Sequence, residues 1–157
     1  MEWPEDVERV AVTLRRAGVE ARLEEFSAGT PTAQAAAEAI GCKLGQIVKS
    51  LVFICDSFSV IALVPGDRRA DAAKVAARAG VKKARIATPE EVRVATSFEP
   101  GAVAPFPTPH VARVLLEREL LGHELVWIGA GSPRHMAALE PGDLLRVAKA
   151  ESADLTA

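Results

Sequence analysis

The chain has 157 residues, enough for one domain with a buried core, and its composition, 49% hydrophobic and 25% charged, is that of an ordinary globular protein. A formal net charge of −2 and a pI of about 6.0 argue against a protein that grips nucleic acid through its overall charge. The two cysteines, Cys42 and Cys55, are too few for a disulfide framework and match no metal-ligand spacing.

The first forty residues predict two helices with a strand between them. Residues 1–6 lack the basic start and apolar stretch of a secretory signal, and no apolar run is long enough to span a membrane, so a cytoplasmic protein is expected. Gly18 and Gly41 are predicted to end the helices, and Thr30 and Pro31 to cap and open the second one. The predicted boundaries are 5–17 for the first helix, 19–26 for the strand and 32–40 for the second helix.

A short apolar run over residues 46–55 contains one lysine, Lys49. The run is rich in β-branched residues and both of its alternating faces are apolar, which predicts a central strand covered on both sides. Residues 57–64 predict the second strand of a hairpin. Because desolvating an ammonium is costly, Lys49 either reaches water at the strand's end or lines a cleft where its charge meets an anionic ligand.

The rest of the chain predicts further helices and strands around two glycine-containing loops. Arg68, Arg69 and Lys74 are expected on one helix as a local basic patch. Residues 111–121 fit a helix or a strand equally well. The other predicted elements are a helix over 67–79, a strand over 84–87, a helix from Thr88, loops over 98–107 and 129–133, strands over 125–128 and 135–139, and a helix from Pro141. Strands interrupted by helices predict one α+β domain, residues 1–157, around a curved mixed β-sheet.

The two loops place glycine where a ligand could approach the backbone. Gly101 lies in the first loop, and Gly129 and Gly131 lie in the second. Exposed backbone N–H groups can hold a carboxylate, a phosphate or a developing oxyanion, although a single glycine loop is more often a plain turn. His135 follows the second loop, but no serine nucleophile elbow, zinc signature or dinucleotide fingerprint is visible.

The order of these motifs resembles the YbaK/prolyl-tRNA synthetase-associated family, whose domains deacylate mischarged tRNA. The resemblance extends from Gly29 to the end of the chain. Its carriers are TPTAQAAA at 30–37, GQIVKSLVF at 45–53, VPGD at 64–67, TPEEV at 88–92, GAVAPFP at 101–107, and IGAGS at 128–132 leading to His135. The resemblance implies a freestanding hydrolase of aminoacyl-tRNA esters without metal, cofactor or covalent intermediate, on a substrate such as Cys- or Ala-tRNA(Pro).

The resemblance also implies roles for particular residues. Lys49 matches the lysine of the pocket that holds the terminal adenosine and the ester, and Gly101 matches the glycine whose loop orients the ester or the attacking water. Ser50 stands where some members have asparagine, and His135 falls near a histidine used by the alanyl-prolyl editing branch. The candidate catalytic residues are Lys49 and Gly101, and the candidate substrate-binding residues are Phe26, Thr30, Ser50, Phe106, Gly129, Gly131, Ser132 and His135.

Three functions remain open at this level. The first is the deacylase, in which Lys49 is a positioning charge because an aminoacyl ester is already activated. The second is a non-catalytic module that binds aminoacyl-adenosine or the tRNA acceptor end. The third is a Schiff-base lysine enzyme, for which no acid or base partner is evident beside Lys49. The expected partners are the tRNA acceptor end and a synthetase, with no membrane, and the chain is expected as a monomer or a homodimer.

Overall fold

A computed structural model describes residues 3–157 of the chain. Met1 and Glu2, on which the signal-sequence expectation partly rests, lie outside the described residues. The α-helices of the described part are α1 Glu5–Arg16, α2 Ala33–Ile40, α3 Ala72–Ala79, α4 Pro89–Thr96 and α5 Pro141–Val147. The strands are β1 Arg22–Glu25, β2 Val48–Cys55, β3 Phe58–Pro65, β4 Ala84–Ile86, β5 Arg113–Glu117, β6 Val126–Ser132, β7 His135–Leu139 and β8 Glu151–Ala153.

The strands form two sheets. A five-stranded mixed sheet has the order β4-β2-β3-β5-β8, and an antiparallel three-stranded sheet has the order β1-β7-β6. The β2–β3 hairpin is antiparallel, whereas β3–β5 and β5–β8 pair in parallel. An isolated parallel bridge between Ile47 and Trp127 joins the start of β2 to β6. The predicted α+β class and the hairpin are confirmed, and the strands predicted for one curved sheet are divided between two.

Strand β2 has an apolar cluster on each side, as its two apolar faces predict. Val48 and Val52 pack in a cluster that contains the fully buried Phe98, while Phe53 and Cys55 pack in a second cluster on the other face. Each large side chain buried in this way contributes about 1.5–3 kcal/mol. The double burial fixes the register of β2 and therefore the direction in which Lys49 points.

Strand β4 covers only the end of β2. The register pairs β4 with Phe53, Ile54 and Cys55, and a further backbone bond joins the Ala87 N–H to the Val52 carbonyl. The pairing does not reach Lys49. The start of β2 therefore lies between the two sheets and faces a loop instead of a neighbouring strand on this side.

Two helices begin later than predicted, and side-chain caps explain both differences. Helix α2 begins at Ala33 because the Thr32 hydroxyl, and not that of Thr30, accepts the Ala35 N–H at 3.0 Å. Helix α3 begins at Ala72 because the Asp71 carboxylate caps it. Arg68 and Arg69 therefore precede the helix that carries Lys74, and the three basic residues do not share one helix.

The ambiguous segment 111–121 contains both a strand and a short helical turn. Residues Arg113–Glu117 form β5, inserted between β3 and β8, and Arg118–Gly122 form a 3₁₀ helix. Val114, Leu115 and Leu116 are all buried, so β5 is covered on both faces. A strand buried on both faces carries no period-two signal, which is why the sequence pattern did not distinguish it from a helix.

Candidate functional site

A cavity of about 330 Å³ opens at the start of β2, between the two sheets. Four parts of the chain form its wall: the segment that leads into α2, the start of β2, the loop 101–103, and the β6–β7 hairpin. The residues that line it are Thr30, Pro31, Thr32, Ala33, Ala36, Ile47, Val48, Lys49, Ser50, Leu51, Gly101, Ala102, Val103, Gly129, Ser132, His135 and Met136. Most of this wall is apolar, so charges within it are weakly screened.

Lys49 is half-buried in this wall and its ammonium is held in place. Its Nζ donates a hydrogen bond to the Arg68 carbonyl oxygen at 2.5 Å. Burial lowers the pKa of Lys49 below its ordinary value, the neighbouring Arg69 lowers it further, and the Asp67 carboxylate opposes both by favouring the charged form. Since an ammonium has three donors, two remain for a ligand. The lysine is thus a cation fixed at the edge of a cavity rather than a side chain extended freely into water.

The loop 101–103 lies against β6 through a backbone contact. Gly101 has a φ of +82°, in the left-handed region that favours glycine, and is exposed. A Cβ added to Gly129 would lie 3.0 Å from the Val103 carbonyl oxygen, so glycine at this position of β6 permits the close approach. The Ala102 N–H donates to the Glu99 carbonyl, whereas no acceptor among residues 3–157 takes the N–H of Gly101 or Val103.

Ser132 and His135 form a hydrogen-bonded pair at the end of the β6–β7 hairpin. The Ser132 Oγ lies 2.6 Å from the His135 Nδ1 and accepts the Arg134 N–H at 3.0 Å. The hydroxyl can donate its own hydrogen to Nδ1, and the ring hydrogen of a neutral imidazole then lies on Nε2. That nitrogen lies 3.7 Å from the Glu25 carboxylate. The His135 side chain is only 5% exposed.

Ser50 presents a different kind of polar group. Its Oγ is buried and has no hydrogen-bond partner among residues 3–157, and it is the one side-chain nitrogen or oxygen of the described part in this condition. Buried polar groups in native proteins are normally paired, because an unpaired one costs about 1–3 kcal/mol. Ser50 therefore carries a stability cost at the wall of the cavity.

Seven of the ten candidate residues line this cavity. They are Thr30, Lys49, Ser50, Gly101, Gly129, Ser132 and His135. The other three lie outside the cavity wall. Phe106 is buried in the core at 3% exposure, and Phe26 packs against Trp127 with ring centroids 6.4 Å apart. Gly131 contacts the backbone of α1 at Asp6. The apolar wall residues Ala33, Ala36 and Met136 were missed, since small apolar residues on an amphipathic helix or a buried strand look like ordinary core positions.

Comparison with known proteins identifies the family. The sequence model of the family described as "Aminoacyl-tRNA editing domain" matches residues 27–147. The chain belongs to this family. The resemblance noted in the sequence is thereby confirmed. No helix of residues 3–157 has the length and apolar character needed to cross a membrane, and no group of three or more His, Cys, Asp or Glu residues in that part is arranged to hold a metal ion.

Relatives of this editing domain occur alone and within longer proteins. The "Uncharacterized protein YwhH" of Bacillus subtilis is 36% identical over 123 residues, 78% of either chain. A proline–tRNA ligase of Nitratidesulfovibrio vulgaris is 32% identical over 130 residues, which are 81% of this chain but 22% of the ligase. A crystal structure described as a "putative trans-editing enzyme for prolyl tRNA synthetase" has a TM-score of 0.91 at 37% identity and covers 99% of both chains.

Proposed function

We propose that this protein is an aminoacyl-tRNA deacylase that acts in trans, hydrolysing the ester between a mischarged amino acid and the 3′ end of a tRNA. The observation that carries the proposal is that Lys49, the Gly101 loop and Gly129 line one small cavity. These are the residues that the family order of motifs assigned to the site. Membership of the editing-domain family supports the same function, and so does the high similarity to the structure described as a "putative trans-editing enzyme for prolyl tRNA synthetase".

Hydrolysis of this ester demands positioning more than strong acid–base chemistry. The bond is already activated, so a water held over the face of the ester carbonyl carbon and a group that stabilises the developing oxyanion supply much of the required rate. The free N–H groups of the 101–103 loop are suitable donors for that oxyanion or for the water. In an apolar cavity such donors act more strongly than they would in bulk water.

Lys49 supplies positive charge where the substrate is anionic. The ammonium is anchored by the Arg68 carbonyl, which leaves two of its donors for a phosphate or carbonyl oxygen of the acceptor end. Arg69, exposed beside it, adds positive charge in the same region. This local charge is compatible with the overall charge of −2, because recognition of a short acceptor end needs few phosphate contacts.

The size and lining of the cavity favour a small amino acid. A volume of about 330 Å³ is at the lower end for ligand sites, and the terminal adenosine must share it with the aminoacyl group. Ala33, Ala36 and Met136 contribute apolar surface to the wall. We therefore propose alanine or cysteine on tRNA(Pro) as the first substrates to test.

Replacing Lys49 with methionine tests the proposal, because methionine keeps much of the side-chain length and removes the charge. Purified protein is incubated with Ala-, Cys-, Ser- and Pro-tRNA(Pro), and loss of labelled aminoacyl-tRNA is followed. Wild type should hydrolyse at least one mischarged tRNA and spare Pro-tRNA(Pro). Lys49→Met should lower the rate about 10²-fold, the size of effect expected when a substrate is no longer held in the reactive position. An unchanged circular dichroism spectrum would show that the fold is kept.

Lys82→Met is the matched control, since Lys82 is exposed and lies outside the cavity wall. It should leave the rate unchanged. Folded wild-type protein that hydrolyses none of the four tRNAs would contradict the proposal. If the same protein bound a non-hydrolysable aminoacyl-adenosine analogue, the chain would instead be a binding module.

A further inference from the structure

Trp3 lies outside the region that matches the editing-domain family, yet it contacts a residue of the cavity wall. The family match covers residues 27–147. The centroid of the Trp3 ring is 5.5 Å from that of His135, and the two ring planes are nearly perpendicular, at 87°. This is the edge-to-face arrangement that aromatic pairs prefer, at a separation within their normal range of about 4.5–7 Å. The contact links the start of the chain to the proposed site.

The position of Trp3 is set by the packing of α1, which begins two residues later. A Cβ on Gly131 would lie 2.7 Å from the Asp6 carbonyl oxygen, so α1 rests directly on the backbone of β6. On the same helix, the Arg9 guanidinium stacks over the Phe98 ring at 4.4 Å and donates to the Ser97 carbonyl at 2.9 Å. These contacts anchor the first turn of α1 and, with it, the residue that precedes the turn by two positions.

Three groups surround the imidazole of His135. Ser132 meets Nδ1 at 2.6 Å, the Glu25 carboxylate lies 3.7 Å from Nε2, and Trp3 packs against the ring system. Only Ser132 belongs to the same hairpin. The Glu25 side chain is 59% exposed and its carboxylate lies too far from Nε2 for a hydrogen bond, so it is the weakest of the three constraints. Trp3 therefore contacts the ring edge-to-face from a segment outside the hairpin.

We propose that Trp3 is a positioning residue for His135. Its ring shields the imidazole and holds it in the orientation in which Nδ1 meets the Ser132 hydroxyl, so that the pair presents one fixed hydrogen-bonding arrangement to the cavity. The segment before residue 27 thus completes a site that the family match alone does not contain. The expected effect on turnover rests on the proposed deacylase function, whereas the effect on the imidazole does not.

The test compares Trp3→Ala with Trp3→Phe, which keeps an aromatic ring. In nuclear magnetic resonance spectra of protein with labelled histidine, Trp3→Ala should shift the His135 ring protons through loss of the tryptophan ring current. It should also move the ring nitrogen signals away from a single tautomer. Trp3→Phe should restore the tautomer. Val12→Ala is the control: it shortens an α1 side chain that lines a second cavity together with Trp3, and it should leave both sets of signals unchanged.

Deacylation gives the second measurement. Trp3→Ala should lower kcat about tenfold to a hundredfold with little change in KM, since a small misplacement of a positioned group has effects of this size. Trp3→Phe should recover most of the loss. Unchanged His135 signals in Trp3→Ala would overturn the inference whatever the activity. If the signals moved as expected but wild type hydrolysed no tRNA, the positioning of His135 would stand and the deacylase proposal would fail.

Discussion

Replacing Ser50 with alanine is expected to stabilise the fold while weakening the proposed activity. The Ser50 Oγ is buried without a hydrogen-bond partner among residues 3–157. Leaving a buried hydroxyl unpaired costs about 1–3 kcal/mol. The substitution removes one oxygen atom and leaves little space behind, so most of this cost is recovered. We expect a gain of about 1 kcal/mol in the free energy of unfolding, or a rise of about 2–4 °C in Tm for a chain of this size.

The effect on activity should have the opposite sign. Ser50 lines the cavity beside Lys49, and the hydrogen-bonding capacity of its buried hydroxyl is unused in the free protein; we expect bound substrate to supply the missing partner. Loss of one hydrogen bond to bound substrate, worth about 0.5–1.5 kcal/mol, should lower kcat/KM by up to about tenfold. Thermal unfolding and deacylation are measured on the same preparations of wild type and Ser50→Ala.

Thr96→Val is the matched control for the stability measurement, because it also deletes one buried hydroxyl. The Thr96 Oγ1 donates to the Val92 carbonyl at 2.8 Å and accepts the buried Phe98 N–H at 3.1 Å. Removing the hydroxyl leaves the buried Phe98 N–H without an acceptor and should lower the free energy of unfolding by about 1–3 kcal/mol. A Ser50→Ala variant that loses as much stability as Thr96→Val would show that the Ser50 hydroxyl is paired in solution and would refute the reasoning.

Two further substitutions test other parts of the structure. Gly129→Ala would place a Cβ 3.0 Å from the Val103 carbonyl oxygen, so the 101–103 loop should shift. The deacylation rate should fall while Tm changes little, as measured by a deacylation assay and thermal unfolding of the same preparation. The Arg85 guanidinium, helped by the Thr88 N–H, lowers the pKa of Glu91 from 4.5 to about 2. Because the folded pKa is depressed, the stabilisation is present above about 4.5 and lost as the pH falls toward 2, so urea unfolding of wild type and Glu91→Gln should converge over that interval. A constant difference between the two proteins would contradict it.

The sequence predicted those parts of the site that local pattern encodes. Lys49 stood out because a charge inside a doubly apolar strand is costly, and the burial of Val48 and Val52 on one face and of Phe53 and Cys55 on the other confirms the alternation. The hairpin from β2 to β3 followed from two apolar runs separated by a tight turn. These predictions depend on neighbours along the chain, which the sequence displays directly.

The features that the sequence did not predict depend on contacts between distant segments. Thr30 and Thr32 are both good caps by residue type, and the choice falls on Thr32 because the Thr30 N–H and hydroxyl both bond to the Pro133 carbonyl. The contact between Trp3 and His135 joins the segment before α1 to strand β7, which are far apart in the sequence. The unpaired hydroxyl of Ser50 has no counterpart in any local pattern, since serine at a strand position is ordinary.

The place of the cavity follows from where β2 lacks a neighbouring strand on the side opposite β3. On that side, β4 pairs only with Phe53–Cys55, and β6 forms a single bridge to Ile47 through Trp127. Lys49 lies between these two points, where neither strand pairs with β2. In that interval the loop 101–103 approaches, and it can do so because Gly129 has no side chain. Since successive strand residues face opposite sides, a shift of β2 by one residue would turn Lys49 toward the cluster containing Phe98. The apolar residues that fix the register therefore determine the site as much as the lysine itself does.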